Sequence, residues 1–176
     1  PKAEDGAMVV AYAAACSAHA KDRATAEKLF FDFVFQYVKG EELKQRLLLI
    51  KENLENDATV SQMAASLSMA KGVSGYINDT VPIVIFTWLR HYGDFTKTLE
   101  ETIFLGGDAD TTGAIVGALA GIASGEAGIP EKWISGIKEW PANVNWMKGL
   151  ANELQMANER KSHKTPKLFW PFLLGR

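Results

Sequence analysis

The chain of 176 residues has little cysteine and no large excess of charge of either sign. Its one cysteine, Cys16, lies in an alanine-rich apolar stretch, which excludes a disulfide framework and is typical of a reducing compartment. We therefore expect a cytoplasmic location, with Cys16 as a small buried core residue. Lys and Arg number 19 against 21 Asp and Glu, a formal net charge of −2. Because proteins that bind the phosphate backbone carry a basic face, nucleic acid is not an expected partner.

The sequence also lacks an apolar run that could cross a bilayer. A spanning helix needs about 20 consecutive apolar residues, and the apolar stretches here are shorter. The first residues are charged, and the apolar stretch 7–15 has no basic leader before it, so no signal peptide is indicated. We expect no membrane partner.

The sequence does contain a succession of helical patterns without strand signals, so the predicted fold class is all-α. Apolar residues recur at three-to-four spacing over 25–40, where Thr25 is the expected cap, and over 41–55, where the charges indicate a solvated face. Pro82 is expected in the first turn of its helix, where a missing N–H costs nothing. Thr59 or Ser61 and Asp94 are expected to start two further helices.

The most informative stretch is 106–125, where two carboxylates and two hydroxyls precede an apolar helix pattern. Asp108 and Asp110 lie close together only if the backbone turns sharply, and the preceding pair of glycines permits the positive φ angles of such a turn. Crowded carboxylates are stabilised by a bound cation or by shared protons. With Thr111 nearby, this set of oxygen donors suits Mg²⁺ or Mn²⁺.

The two aspartates could instead belong to a motif of another kind. An EF-hand loop starting at Asp108 fails because Leu119 stands where a bidentate glutamate is required. A phosphate-binding glycine loop lacks its lysine and would direct acids at an anion. A purely structural role, in which Asp110 only caps a helix that begins near Thr111, accounts for one aspartate and not for the pair.

Glycine recurs at every fourth position of the helix that follows the aspartates, at 113, 117, 121 and 125. Each glycine costs about 1 kcal/mol relative to alanine in a helix interior, so the stripe predicts close contact with a neighbouring helix. Such spacing also occurs in helices that dimerise within a membrane, but the run is too short for that role.

The motif Gly106-Gly107-Asp108-Ala109-Asp110-Thr111, followed by Gly113-Ala114-Ile115, resembles the second metal motif of the ADP-ribosylglycohydrolases of the dinitrogenase-reductase-activating type. Two other segments are similar to that family, Gly128-Ile129-Pro130 with Trp133, and Gly72-Val73-Ser74-Gly75-Tyr76 with Thr80-Val81-Pro82. The resemblance covers roughly residues 60 to 155.

The resemblance implies an all-α orthogonal multi-helix bundle with a two-metal centre. Such a centre hydrolyses an N- or O-glycosidic bond at the anomeric carbon of ADP-ribose on a protein or small molecule. Asp108 and Asp110 would bind two Mg²⁺ or Mn²⁺ ions through their carboxylates and Thr111 through its hydroxyl, whereas no catalytic residue is assigned. The alternative is a non-catalytic ADP-ribose binder, or a structural relative that kept the fold and lost activity.

The resemblance also implies a ligand-binding role for the loop 71–80. The Ser74 hydroxyl and the flanking amides, including that of Gly75, would bind a ribose or diphosphate oxygen, and the Tyr76 ring would pack on a base or sugar. The structural alternative is a plain connection between helices with Asp79 as N-cap. His19 falls roughly where family members have a histidine near the ADP-ribose, against the alternative of a structural histidine.

The sequence departs from the family pattern in one respect. Family members have an earlier Thr-Asp-Asp motif that supplies further metal ligands. The sequence does not contain it, and the nearest string, Asn78-Asp79-Thr80, does not match. The chain also starts at Pro1 rather than Met. We therefore expect residues 1–176 to be a single all-helical domain, the C-terminal portion of a longer protein. Its partner would be the N-terminal half of that protein. The apolar tail 168–174 would either dock on that half or precede a further continuation of the chain.

Overall fold

The structure, a computed structural model, describes residues 2–159. These residues form nine α-helices and one 3-10 turn, Glu126–Gly128, without a strand, which confirms the predicted all-α class. The apolar tail 168–174 lies outside the described residues. The helices are α1 (Lys2–His19), α2 (Arg23–Tyr37), α3 (Glu41–Glu55), α4 (Val60–Ser66), α5 (Ile77–Arg90), α6 (Phe95–Phe104), α7 (Ala109–Ser124), α8 (Glu131–Gly136) and α9 (Val144–Glu159).

The chain divides into two compact units, Pro1–Ile129 and Pro130–Arg176. The first contains α1 to α7 and the second contains α8 and α9. No helix in residues 2–159 combines the length and the apolar character that crossing a membrane requires. The expectation of one all-helical domain over the whole chain stays a prediction.

Helix α5 is the centre of the first unit. Every residue from Thr80 to Leu89 is buried, and α5 contacts α1, α2, α3, α4, α6 and α7. A helix that is apolar all round must be surrounded by other elements, which explains this central place. The Trp88 ring meets Phe30 of α2 edge-on, with 5.9 Å between the ring centroids.

The start of α5 differs from the sequence expectation. Pro82 is the sixth residue of the helix, because α5 begins at Ile77 and not near the proline. The missing N–H at this position removes the hydrogen bond to the carbonyl of residue 78, so the proline is tolerated inside the helix at the cost of one backbone bond. The helix therefore starts directly after the loop that contains Ser74 to Tyr76.

Most helix caps follow from local sequence. Thr59 forms a capping box with Gln62, and the Asp94 carboxylate accepts the backbone N–H of Lys97 at 2.9 Å, as expected. Thr25 is not a cap, because the Asp22 carboxylate accepts the Thr25 backbone N–H at 2.8 Å and is the N-cap of α2. Asp22 precedes Thr25 by three residues, and aspartate is preferred at the N-cap of a helix at least as strongly as threonine.

Cys16 is a buried core residue of α1, as expected. Burial raises the pKa of its thiol to about 11. The thiolate is the reactive form of cysteine, so Cys16 is unreactive near neutral pH.

The glycine stripe of α7 packs on α6. A Cβ added at Gly113, Gly117 or Gly121 would lie 3.6 to 3.8 Å from side chains of α6, which is ordinary van der Waals contact. The contacted side chains are Ile103, Leu99 and Phe95. Gly125 does not belong to the packed stripe, since it has φ +66° and is the C-cap of α7. The stripe therefore holds α7, and the aspartates at its start, against α6.

Candidate functional site

Two loops meet in the first unit of the fold. After the roles predicted for them, residues 71–76, which precede α5, are called the ligand loop, and residues 106–108, which precede α7, are called the metal loop. The Val73 N–H donates to the Gly106 carbonyl at 3.0 Å, and the Asp108 N–H donates to the Val73 carbonyl at 2.8 Å. These two bonds make an isolated parallel bridge between Val73 and Gly107. The two stretches selected from the sequence are therefore neighbours in space.

Glycine is required at the crossing of the two loops. Gly107 has φ +80°, and a Cβ there would overlap the Val73 carbonyl oxygen. Gly72 has φ +114°, and a Cβ there would lie 2.7 Å from the Gly107 nitrogen. Gly106 also has a positive φ, +72°, but nothing lies within 4 Å of its Cβ position. The expected positive φ angles of the glycine pair are confirmed, and the close approach of the loops adds a second reason for Gly107.

The three predicted metal ligands lie within one turn at the start of α7. Asp108 is the N-cap residue but makes no side-chain capping bond. Its Oδ1 accepts the Thr111 hydroxyl at 2.8 Å, and its backbone carbonyl accepts the buried Thr112 hydroxyl at 2.8 Å. Asp110 and Thr111 are exposed and Asp108 is half-buried. Capping by Asp110 is wrong, because this residue lies in the first turn of the helix and not at its N-cap.

The two carboxylates interact with each other. Hydrogen bonding with the Asp108 carboxyl group, and then with the backbone N–H of Thr111, lowers the pKa of Asp110 below its usual range. Within residues 2–159 neither aspartate forms an ion pair with Lys or Arg. No third His, Cys, Asp or Glu in this part of the chain joins them as a metal cluster. Within residues 2–159 the pair is therefore not neutralised by a cationic side chain.

In the ligand loop, Ser74 contacts α5 and Gly75 approaches the metal loop. The Ser74 hydroxyl donates to Asp79 Oδ2 at 2.5 Å and accepts the Tyr76 backbone N–H at 3.1 Å. A Cβ at Gly75 would lie 2.9 Å from Asp108 Oδ2, so the backbone of Gly75 approaches the acidic pair closely. Asp79 is not an N-cap, because Tyr76 occupies that position.

The Tyr76 hydroxyl is held by three side chains. It donates to Glu42 Oε2 at 2.8 Å and accepts from Lys2 Nζ at 2.5 Å and from Asn78 Nδ2 at 3.1 Å. The Lys2 ammonium also lies 5.2 Å from the centroid of the Tyr76 ring. Hydrogen bonds from Lys2 and then Tyr76 lower the pKa of the Glu42 carboxyl to about 2.

Two neighbours of the site on α3 do not follow from the sequence analysis. Glu42 contacts Tyr76, and Arg46 Nη1 lies 2.7 Å from Asp79 Oδ1. The charge pattern of α3 predicts a solvated face, and Glu42 is indeed exposed whereas Arg46 is half-buried, but that pattern does not predict their contacts with Tyr76 and Asp79. Their spacing of four residues, which puts them on one side of the helix, is the signal that the sequence offers for them.

A profile of the ADP-ribosylglycohydrolase family matches residues 1–164. The chain belongs to the ADP-ribosylglycohydrolase family. The chain is similar to ADP-ribosylhydrolase ARH3 of Bos taurus, with 32% identity over 98 residues that cover 50% of this chain and 26% of the relative. It is also similar to the ADP-ribosyl-(dinitrogen reductase) glycohydrolase of Rhodospirillum rubrum, with 44% identity over 66 residues, 35% of this chain and 21% of the relative. These matches therefore span about a quarter of the curated relatives. No solved structure matches the chain.

In this member of the ADP-ribosylglycohydrolase family, His19 is exposed at the end of α1. Its Nδ1 lies 2.8 Å from the Ala15 carbonyl oxygen, and no hydrogen bond within residues 2–159 joins it to either loop. Its role in ligand binding stays a prediction, as do the roles of the residues in the ligand and metal loops.

Proposed function

We propose that the protein containing this chain is a metal-dependent hydrolase that cleaves the glycosidic bond at the anomeric carbon of ADP-ribose. Its substrates would be ADP-ribosylated proteins or small molecules. The observation that carries the proposal is the carboxylate pair Asp108 and Asp110, which no Lys or Arg of residues 2–159 neutralises and which the backbone of Gly75 approaches closely. The family membership supports the same chemistry.

The donor set at the start of α7 fits divalent metal ions. Asp108, Asp110 and Thr111 present carboxylate and hydroxyl oxygens, which are the ligands that Mg²⁺ and Mn²⁺ prefer. The Thr111 hydroxyl already contacts Asp108 Oδ1 at 2.8 Å, so the oxygens of both residues lie on one side of the turn. Two bound ions would supply Lewis-acid activation of water and stabilisation of developing charge.

The remaining ligands are proposed to come from outside residues 2–159. Two carboxylates and one hydroxyl are too few for two six-coordinate ions. Since no third acidic or histidine side chain of the described chain joins the pair, we assign the missing ligands to the N-terminal half of the protein.

The hydrogen bonds of Ser74 define what it can offer a ligand. A hydroxyl has one donor and two acceptor sites. Ser74 donates its proton to Asp79 and accepts one N–H from Tyr76, so one acceptor site is left. That site suits a ribose hydroxyl, which can donate, and not a diphosphate oxygen, which only accepts. The Gly75 N–H remains the donor of this loop for a diphosphate oxygen.

The second candidate function is ADP-ribose binding without hydrolysis. It is favoured by the absence of a Thr-Asp-Asp string from the sequence. The two functions differ in one measurable property, the release of ADP-ribose.

The test is an ADP-ribose release assay on the full-length protein. Substrates with serine, arginine and nucleotide linkages are incubated with Mg²⁺, with Mn²⁺ and with a chelator, and calorimetry measures ADP-ribose binding in parallel. Metal-dependent release supports the hydrolase. Binding without release on any substrate supports the second function, and neither binding nor release would overturn both.

A further inference from the structure

The ligand loop is held by an ion pair that its own sequence does not reveal. Arg46 of α3 contacts Asp79 Oδ1 at 2.7 Å, and the other oxygen of the same carboxylate accepts the Ser74 hydroxyl at 2.5 Å. Ser74 in turn accepts the Tyr76 backbone N–H at 3.1 Å. The contacts form a chain from the middle of α3 to the backbone of the candidate ligand loop.

The two charged groups of this chain are largely withdrawn from water. The side-chain exposure is 23% for Arg46 and 18% for Asp79. Charge-assisted hydrogen bonds are stronger than neutral ones, more so where solvent is excluded. A more exposed pair, Arg23 with Glu27 on α2, has a separation of 3.6 Å and lies outside the ligand loop. Ion pairs with a long N–O separation near the surface contribute little to stability.

We propose that Arg46 and Asp79 are positioning residues for the ligand loop. Arg46 fixes the Asp79 carboxylate, and Asp79 fixes the Ser74 hydroxyl so that the Ser74 oxygen faces a ligand only as an acceptor. This proposal rests on the proposed binding of ADP-ribose by residues 74–76, which it deepens by adding two residues that need not touch the ligand. Affinity for the ligand then depends on an ion pair between α3 and α5.

The geometry explains why Asp79 needs a cation beside it. A half-buried carboxylate without a cationic partner is desolvated at a cost, so it turns toward water. The Ser74 hydroxyl is then released from its fixed orientation. A serine that rotates freely can donate or accept, and the loop loses its single arrangement of hydrogen-bonding groups.

The experiment compares Arg46→Met with Arg46→Lys, and Arg23→Met serves as the matched control, in the full-length protein. Arg46→Met removes the cation and keeps much of the apolar stem, whereas Arg46→Lys keeps the charge. Calorimetry measures ADP-ribose affinity, and amide hydrogen exchange reports the Tyr76 N–H that Ser74 accepts. Thermal unfolding shows whether each variant is folded.

The expected result is a loss of affinity of about tenfold or more in Arg46→Met, the factor that corresponds to one charge-assisted hydrogen bond. Exchange of the Tyr76 amide should accelerate by a similar factor, Arg46→Lys should recover part of both effects, and Arg23→Met should stay within about twofold. The double variant with Asp79→Asn should lose little more than Asp79→Asn alone, because Arg46 contacts Asp79 at 2.7 Å, whereas its other ion pair, with Glu42, is 3.8 Å long and contributes little.

Unchanged affinity and exchange in a folded Arg46→Met variant would overturn the positioning role. Additive losses in the double variant would also overturn it, since they would mean that Arg46 acts independently of Asp79. Failure of the parent protein to bind ADP-ribose would refute the proposed function and with it the effect on affinity. The exchange of the Tyr76 amide would then decide alone whether Arg46 positions the loop.

Discussion

The ligand loop and the metal loop lie on the two sides of the Val73–Gly107 bridge and neutralise their carboxylates differently. Asp79, which holds the ligand loop, is paired with Arg46. Asp108 and Asp110 of the metal side have each other and a threonine hydroxyl, and no cation from the described part of the chain. The difference teaches that residues 2–159 supply a cationic partner for the carboxylate beside the ligand loop and none for the two carboxylates after the metal loop, as expected if these two bind a metal ion.

Removal of the acidic pair should have the largest effect. In the full-length protein, Asp108→Asn with Asp110→Asn should weaken Mn²⁺ binding by at least about 100-fold, because amides replace the charged ligands. Calorimetry measures the binding, and helical circular dichroism should be unchanged. The matched control is Asp79→Asn, which removes a carboxylate that already has its cation and should retain Mn²⁺ binding. Equal losses of Mn²⁺ affinity in the two variants would show that the carboxylates of the two loops do not differ in their role.

The bridge itself can be tested with the adjacent glycines. Gly107→Ala should destabilise the protein by about 3 kcal/mol, because the new Cβ overlaps Val73 and the backbone has a positive φ. Gly106→Ala should cost only about 1 kcal/mol, since it has the φ strain without the overlap. Urea unfolding measures both. A similar loss in the two variants would show that the loops do not cross as closely as the Val73–Gly107 contact requires.

The packing of α7 on α6, which holds the predicted metal ligands in place, can be tested separately through the glycine stripe. Gly117→Leu should cost about 1–3 kcal/mol by overpacking against Leu99. Gly117→Ala should be neutral or slightly stabilising, because its Cβ would meet Leu99 at 3.7 Å and alanine favours the helix. Thermal unfolding compares the two variants. A thermal midpoint of Gly117→Leu within a degree of the parent would place the stripe away from α6.

The smallest expected effect is the response of the ligand loop to acid. The folded-state pKa of Glu42 is about 2, below its ordinary value of 4.5. A lowered pKa means that the stabilisation from the contact with Tyr76 is fully present above about pH 4.5 and is lost as the pH falls through about 2. The Tyr76 ring signals of the folded protein in NMR should therefore be constant from pH 8 to about pH 3 and change as the pH approaches 2, where Glu42 takes up its proton. In Glu42→Gln the acid-dependent change should disappear.

Local features of the fold could be predicted from the sequence because their causes lie within a few residues. The bounds of α3 agree with the predicted range 41–55, and the caps Thr59 and Asp94 follow from their residue types. The prediction for Pro82 is wrong because local sequence does not distinguish a proline at the sixth position of a helix from one in the first turn. Tertiary packing on all sides of α5 supports a start that local propensity does not indicate.

Parts of the candidate site that depend on distant contacts could not be predicted. The positive φ angles at Gly106 and Gly107 follow from a sharp turn next to two acids, but the partner of Gly107, Val73, does not. Arg46 and Asp79 are separated by 33 residues, and the four-residue spacing of Glu42 and Arg46 indicates a shared side of α3 but not the partner Asp79. Short sequence motifs therefore indicate the chemistry of a site, whereas only the fold shows which distant residues orient its side chains.

The Val73–Gly107 bridge has a consequence for the order in which the protein folds. The two residues are separated along the chain by the whole of α5 and α6, so the loops meet only after both helices have formed and packed. Contacts across long stretches of chain pay loop-closure entropy and are slow relative to helix formation. We expect a refolding chain to gain its helical signal before it forms the bridge between the two loops.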